Sequence, residues 1–189
     1  MSIDTNLDPY LEEIIHSQAP ALVPMRGSLT SFNATLARFG MYLSVAGLLL
    51  IVVTVAWQVF GRYVLNNPPT WAESLALLLI LYVTLIAAAV GVRDAGHIGM
   101  ESLLVLAPDK VRESIERFIH LLIALFGTAM VYNGWVLGLS VMNYKISGLG
   151  LSEGLRYLPL VISGALIVLF SIEHIVASLR NLEVEPAWH

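Results

Sequence analysis

The chain contains no cysteine in 189 residues. Disulfides, thiolate zinc sites, cysteine-held iron–sulfur clusters and a thiol nucleophile are therefore all excluded. Charge is scarce as well: Asp, Glu, Lys and Arg make up 13% of the residues, and hydrophobic residues 57%. A soluble domain carries about 25% charged residues, so this composition, with a mean hydropathy of +0.77, belongs to an integral membrane protein whose solvent is membrane lipid. The net charge of -4 argues against nucleic acid as a partner and against chain-wide attraction to anionic lipid. No G-x-x-x-x-G-K-[ST] segment occurs, so the chain has no P-loop with which to hydrolyse ATP. Gly148, Gly150 and Gly154 come nearest. They lack the lysine and follow a membrane span, which predicts a flexible external loop.

The missing charges also mark the spans. A hydrocarbon core of about 30 Å needs about 20 helical residues, and four uncharged stretches of roughly that length follow one another. They are Phe39 to Gly61, Ser74 to Val92, Phe118 to Tyr144 (which contains only His120), and Tyr157 to Ile172. The fourth spans fully only if it continues through Glu173 and His174 toward Leu179. Apolar residues surround each stretch, so length and charge decide rather than periodicity. The fold class is an all-α integral membrane protein of four transmembrane helices, with spans at about 39–61, 74–92, 118–144 and 157–178. Residues 36–180 form the membrane domain, flanked by segments 1–35 and 181–189.

Seven of the ten basic residues (Arg26, Arg38, Arg93, Lys110, Arg112, Arg117, Arg180) fall on one side of this layout, and Arg62, Lys145 and Arg156 on the other. Basic residues are retained in the cytoplasm, so both termini are expected there. The acidic start (Asp4, Asp8, Glu12, Glu13) does not resemble a removable leader, which makes the first span a retained signal anchor. Interfacial amphipathic helices are expected in three places. Leu7, Leu11, Ile14 and Ile15 share one helical face. Val111, Ile115, Phe118, Ile119 and Leu122 share another, opposite Arg112, Glu113, Glu116 and Arg117, and Ile98 to Leu106 is a third candidate. The first has an acidic opposite face, suited to a protein partner, or is a frayed tail.

A carrier acting alone needs an ionisable residue near mid-bilayer to bind a charged solute or coupling ion. The centres of all four stretches lack one, which counts against a self-sufficient exporter. Glu73, Arg93, Glu173 and Arg62 stand near span ends. Two histidines, His120 and His174, fall near the same ends of neighbouring spans, so a bis-His b-type haem in an oxidoreductase anchor is conceivable. The alternative is a polar contact of His120 with Glu173 that closes the bundle. Gly134 with Gly138, Ala87 with Gly91, and Gly40 with Ser44 have small-residue spacing suited to helix packing.

Three segments carry a resemblance: Gln58-Val59-Phe60-Gly61-Arg62-Tyr63-Val64-Leu65-Asn66, Pro69-Thr70-Trp71-Ala72-Glu73, and Gly91-Val92-Arg93-Asp94-Ala95-Gly96-His97-Ile98. Together with the four-span plan over about residues 36–180, they resemble the small membrane subunit (DctQ-type) of tripartite ATP-independent periplasmic (TRAP) transporters. Ser74 departs from that pattern, since the family often has a second Glu there. The resemblance implies a noncatalytic, cofactor-free scaffold in the bacterial inner membrane. Such subunits pack against a large membrane subunit that moves substrate by an ion-gradient-driven elevator motion, while a periplasmic solute-binding protein delivers the solute, commonly an organic acid. By position, Arg62, Trp71 and Glu73 form an external cluster in which Arg62 and Glu73 are expected to pair; for Trp71 the alternative is an aromatic-belt anchor. On the cytoplasmic side Arg93, Asp94, His97 and Glu101 form a second set. Arg93, His97 and Glu101 share one face if the helix continues; otherwise they mark a solvated helix end.

Overall fold

Uninterrupted apolar sequence in a membrane must satisfy its backbone internally, which selects helix. The computed structural model describes residues 28–67, 69–94 and 109–180, and is helical through most of them. Helix α1 runs Ser28–Tyr63, α2 Thr70–Asp94, α3 Asp109–Ser140 and α4 Leu158–Leu179, with a 3₁₀ turn at Glu153–Arg156 just before α4. All four α-helices are long and apolar enough to cross a membrane. The expected helix at Leu7 to Ile15, the run Ile98 to Leu106 and the tail 181–189 lie outside the described residues. The amphipathic turns around Ile115 belong to the same continuous helix as the third span.

Helix ends follow local chemistry. Asn66 takes a positive φ of 52° after α1, where its amide-bearing side chain tolerates the left-handed region, and Pro69 packs beside Gly61. Pro in the first turn of α4 meets no missing bond, because a first-turn N–H has no partner within the helix. Helix α1 begins well before the expected Phe39, since Arg38 is no barrier to helix. Helix α3 stops at Ser140, before the expected Tyr144. Val141, Met142 and Tyr144 continue the apolar run, but their carbonyls serve a loop: the Ser152 hydroxyl donates to Met142 O at 2.6 Å and Glu153 N–H to Tyr144 O at 2.8 Å.

The helices pack as a row, not as the compact bundle implied by four short spans. α1 lies on α2, α2 on α4 and α4 on α3, with α1 reaching α4 only narrowly. The crossing of α3 and α4 is closest at two glycines absent from the expected small-residue pairs. A Cβ on Gly127 would lie 2.9 Å from Gly164 O, and one on Gly164 would lie 2.7 Å from Gly127 O. Gly134 packs against Leu160 and Val161, and Gly40 against Val90 and Ile86, as their spacing suggests, whereas nothing approaches Gly91. Among the described residues, buried apolar side chains cluster as Ala37, Val90 and Phe170 and as Ala89, Met130 and Ile167. Large side chains such as Leu49, Val53 and Leu125 point outward, the arrangement expected where lipid or another membrane protein is the surroundings.

Candidate functional site

Polar residues gather at the end of the row that holds the start of α1 and the end of α4. Arg93, in the last turn of α2, is buried to 1% exposure. Its Nε donates to Glu173 Oε2 at 3.3 Å, its Nη2 reaches Glu173 Oε1 at 3.5 Å, and its Nη1 donates to Asp94 Oδ1 at 3.0 Å. From α1, the Asn33 amide donates to Glu173 Oε2 at 2.8 Å. Glu173, Asp94 and Asn33 are each 4% exposed. A buried guanidinium presents a fixed fork of donors that matches a carboxylate edge, so Arg93 ties α2 to α4, and Glu173, which also receives the Asn33 amide, brings in α1. The cation also sits at a helix C-terminus, where the helix dipole favours it.

A ring pair adjoins this cluster. His174 Nε2 lies 2.9 Å from Arg93 O, and since a carbonyl only accepts, that nitrogen carries a proton and donates. Its ring stacks on His120 of α3, with centroids 4.5 Å apart and planes within 4°. His120 therefore meets His174, not Glu173 as the spacing suggested. The two rings lie face to face in contact, whereas bis-His haem ligation needs them end-on across a porphyrin. The helix order explains the swap: Glu173 turns toward α2 and α1, and its neighbour His174, while donating to Arg93 O of α2, lays its ring face against α3. Arg117 Nε donates to Ser178 Oγ at 3.3 Å and extends the α3 to α4 link. Arg93 and Asp94 are thus not a solvated helix end. His97 and Glu101 lie outside the described residues.

At the opposite end Arg62 closes α1, and Trp71 and Glu73 open α2. All three are exposed, Trp71 at 42%, and among the described residues no ion pair joins Arg62 to Glu73. The expected pair does not form in the isolated chain, where backbone bonds hold the reversal: Val64 N–H donates to Phe60 O at 2.9 Å and Asn67 N–H to Gly61 O at 3.1 Å. Nearby, the glycine-bearing loop is tied down rather than flexible. Lys145 and Ser152 form a β-bridge, Ile146 N–H donates to Leu151 O at 2.7 Å, and the Ser74 hydroxyl donates to Ser147 O at 2.6 Å. Gly148, at φ +82°, leaves only 3.0 Å between a would-be Cβ and Thr70 O.

Asn33 is the member of the buried cluster that sequence reasoning missed. It lies five residues before Arg38, outside the expected span, and an isolated Asn has no motif. Its only signal is an amide among apolar neighbours in a stretch that proves to be helix.

Residues 51–181, more than half of the chain and including Arg62, Glu73, Arg93 and Glu173, match the family model of tripartite ATP-independent periplasmic transporters, DctQ component. The chain belongs to the DctQ family. It is the small permease component of a TRAP transporter and a membrane protein. It is similar to the sialic acid TRAP transporter small permease protein SiaQ of Vibrio cholerae, with 24% identity over 132 residues, 70% of this chain and 76% of that protein. It is also similar to the sialic acid TRAP transporter permease protein SiaT of Haemophilus influenzae, with 31% identity over 83 residues. That match covers 44% of this chain but 12% of the relative, so in SiaT a segment of this kind is part of a much longer permease.

Proposed function

We propose that this DctQ subunit is a noncatalytic scaffold of the inner membrane. It packs against a large membrane subunit and helps a periplasmic solute-binding protein to dock, in a complex whose uptake of an organic acid is driven by an ion gradient. The observation that carries this reading is where the charge sits. Every Asp, Glu, Lys and Arg of the four helices lies in the first or last third of its helix, and the buried ionic group, Arg93 with Glu173 and Asp94, is committed to holding α1, α2 and α4 together. A carrier path needs an uncommitted ionisable site near mid-bilayer. The much longer SiaT relative supports a large permease as partner. The names of both relatives point to sialic acid, a carboxylic acid, hence the organic-acid class.

In this reading the end with Arg93 and both chain termini is cytoplasmic, in keeping with the excess of basic residues there. The ordered loop at 141–157 and the exposed Arg62, Trp71 and Glu73 then face the periplasm and the binding protein. The test is uptake into proteoliposomes. This chain alone under an ion gradient should import nothing, and the large subunit with binding protein should import only when this chain is present. Uptake by the isolated chain, or undiminished uptake without it, would refute the scaffold.

A further inference from the structure

The two edges of the helix row are chemically unlike. α1 forms one edge, and from Leu43 to Ala56 all of its exposed side chains are apolar; Ser44 and Thr54 are buried, each donating to a carbonyl one turn back, Gly40 O and Leu50 O. That edge suits hydrocarbon. α3 forms the other edge. It has the fewest buried residues of the four spans and is also the least hydropathic, the reverse of what contact with lipid tails selects.

The polarity of α3 is concentrated on its outward side. Tyr132 is 69% exposed and Asn133 is exposed too. Asn133 Nδ2 donates to Ala129 O at 2.8 Å within its own helix, but among the described residues neither the Asn133 carbonyl oxygen nor the Tyr132 hydroxyl has a partner. Both lie about 10 Å inside the helix end at Ser140, at 1.5 Å per residue. Acyl chains offer neither donors nor acceptors to such groups. Ala129 and Val136 lie on the ridge between them, and the small Ala129 permits close approach of a second backbone.

We infer that the outward face of α3, centred on Ala129, Tyr132, Asn133 and Val136, is covered by a membrane helix of the large subunit that presents a hydrogen-bonding side chain to Asn133, while the α1 edge faces lipid. This rests on the subunit reading above, and it adds which edge joins the partner and through which chemistry.

The cysteine-free sequence allows the two edges to be compared directly. Ala129→Cys, Val136→Cys and, on the α1 edge, Val53→Cys are each coupled to a photoactivatable maleimide in chains co-expressed with the large subunit. Adducts with the large subunit are expected from positions 129 and 136 and not from 53. An adduct from 53 alone, or none from 129 and 136 while the subunits still co-purify, overturns the assignment of the face and leaves the subunit reading standing. Failure of the parent chain to co-purify with the large subunit removes that reading and the inference with it. An adduct between two copies of this chain overturns the choice of partner. In parallel, Asn133→Leu should weaken association about three- to fifteen-fold, the range for one interhelical hydrogen bond in a membrane. Asn133→Gln should lose less, and the thermal melt of the isolated chain should not move, because among the described residues this amide bonds only within its own helix. Association of Asn133→Leu equal to the parent's would overturn the hydrogen-bond claim.

Discussion

Arg93 is the hub of the buried cluster, and removing it should cost more than removing either carboxylate. In Arg93→Met the side chain keeps its length and apolar stem while the guanidinium disappears. Glu173 then loses its cation and keeps only the Asn33 amide at 2.8 Å, and Asp94 loses the donor at 3.0 Å. Breaking a buried pair by removing one partner costs on the order of 3–5 kcal/mol, because a charge is left uncompensated. With two carboxylates affected, Arg93→Met should fall at the upper end. Glu173→Gln is milder: the shape is kept, the Asn33 amide can still find a carbonyl oxygen, and Arg93 retains Asp94. The loss is then a charge-assisted hydrogen bond, about 1.5–3 kcal/mol. Asn33→Ala removes a neutral donor to a charged acceptor and should cost about the same or less.

The assay is thermal unfolding of the purified chain in detergent, followed by loss of the monodisperse peak. The expected order of destabilisation is Arg93→Met, then Glu173→Gln, then Asn33→Ala. A double-mutant cycle on Asn33 and Glu173 should show coupling, since the two share one oxygen, Oε2. If Arg93→Met melts with the parent, or melts above Glu173→Gln, the cluster is not organised around the arginine and the reasoning fails.

Four further outcomes follow from the same geometry. Gly164→Leu should disrupt the α3 to α4 crossing and cost several kcal/mol as overpacking against backbone, whereas Gly91→Ala, with nothing near it, should leave the melt within about 0.5 kcal/mol; the two melts settle the comparison. Gly148→Ala should loosen the loop at 141–157 more than Gly150→Ala, because both glycines have positive φ but only Gly148 faces backbone; hydrogen exchange of Ile146 and Glu153 reads the difference. Arg62→Ala and Glu73→Ala should each leave the stability of the isolated chain within about 0.5 kcal/mol, as exposed unpaired charges do, so any defect in these variants must appear in assembly with partners. Asn67→Cys and Ser147→Cys should react with an impermeant thiol reagent added outside cells and Ser178→Cys should not; the opposite pattern reverses the orientation.

What was legible in the sequence was whatever depends on solvation. Four charge-free stretches predict four long helices because a buried-in-lipid backbone has no alternative, and α4 does run through Glu173 and His174 to Leu179. The recognisable segments around Arg62, Trp71 and Arg93 identified the family that the match over residues 51–181 establishes. Helix ends were less legible where apolar residues continue past them. Val141 to Tyr144 read as span, yet these residues turn because Ser152, ten residues on, takes the Met142 carbonyl; no count of charges contains that bond.

The partner of each charge was legible least, for a geometric reason. Arg62 with Glu73 and His120 with Glu173 were paired on nearness in sequence layout, at one membrane level and on presumed neighbouring helices. In a closed bundle that assumption is fair, since every helix meets two others. In a row, α3 packs chiefly on α4 among the described residues, so how each residue of α4 is turned decides the pairing. Adjacent residues on a helix diverge by about 100°, which sends His174 to His120 and Glu173 to Arg93 and Asn33. The same openness leaves two edges, and a protein with two edges and little interior must obtain much of its packing from its surroundings. The apolar α1 edge is compatible with lipid, while the exposed amide of Asn133 on α3 is not. On the inference drawn above, the fold of this small subunit is completed by the membrane on one side and by another protein on the other.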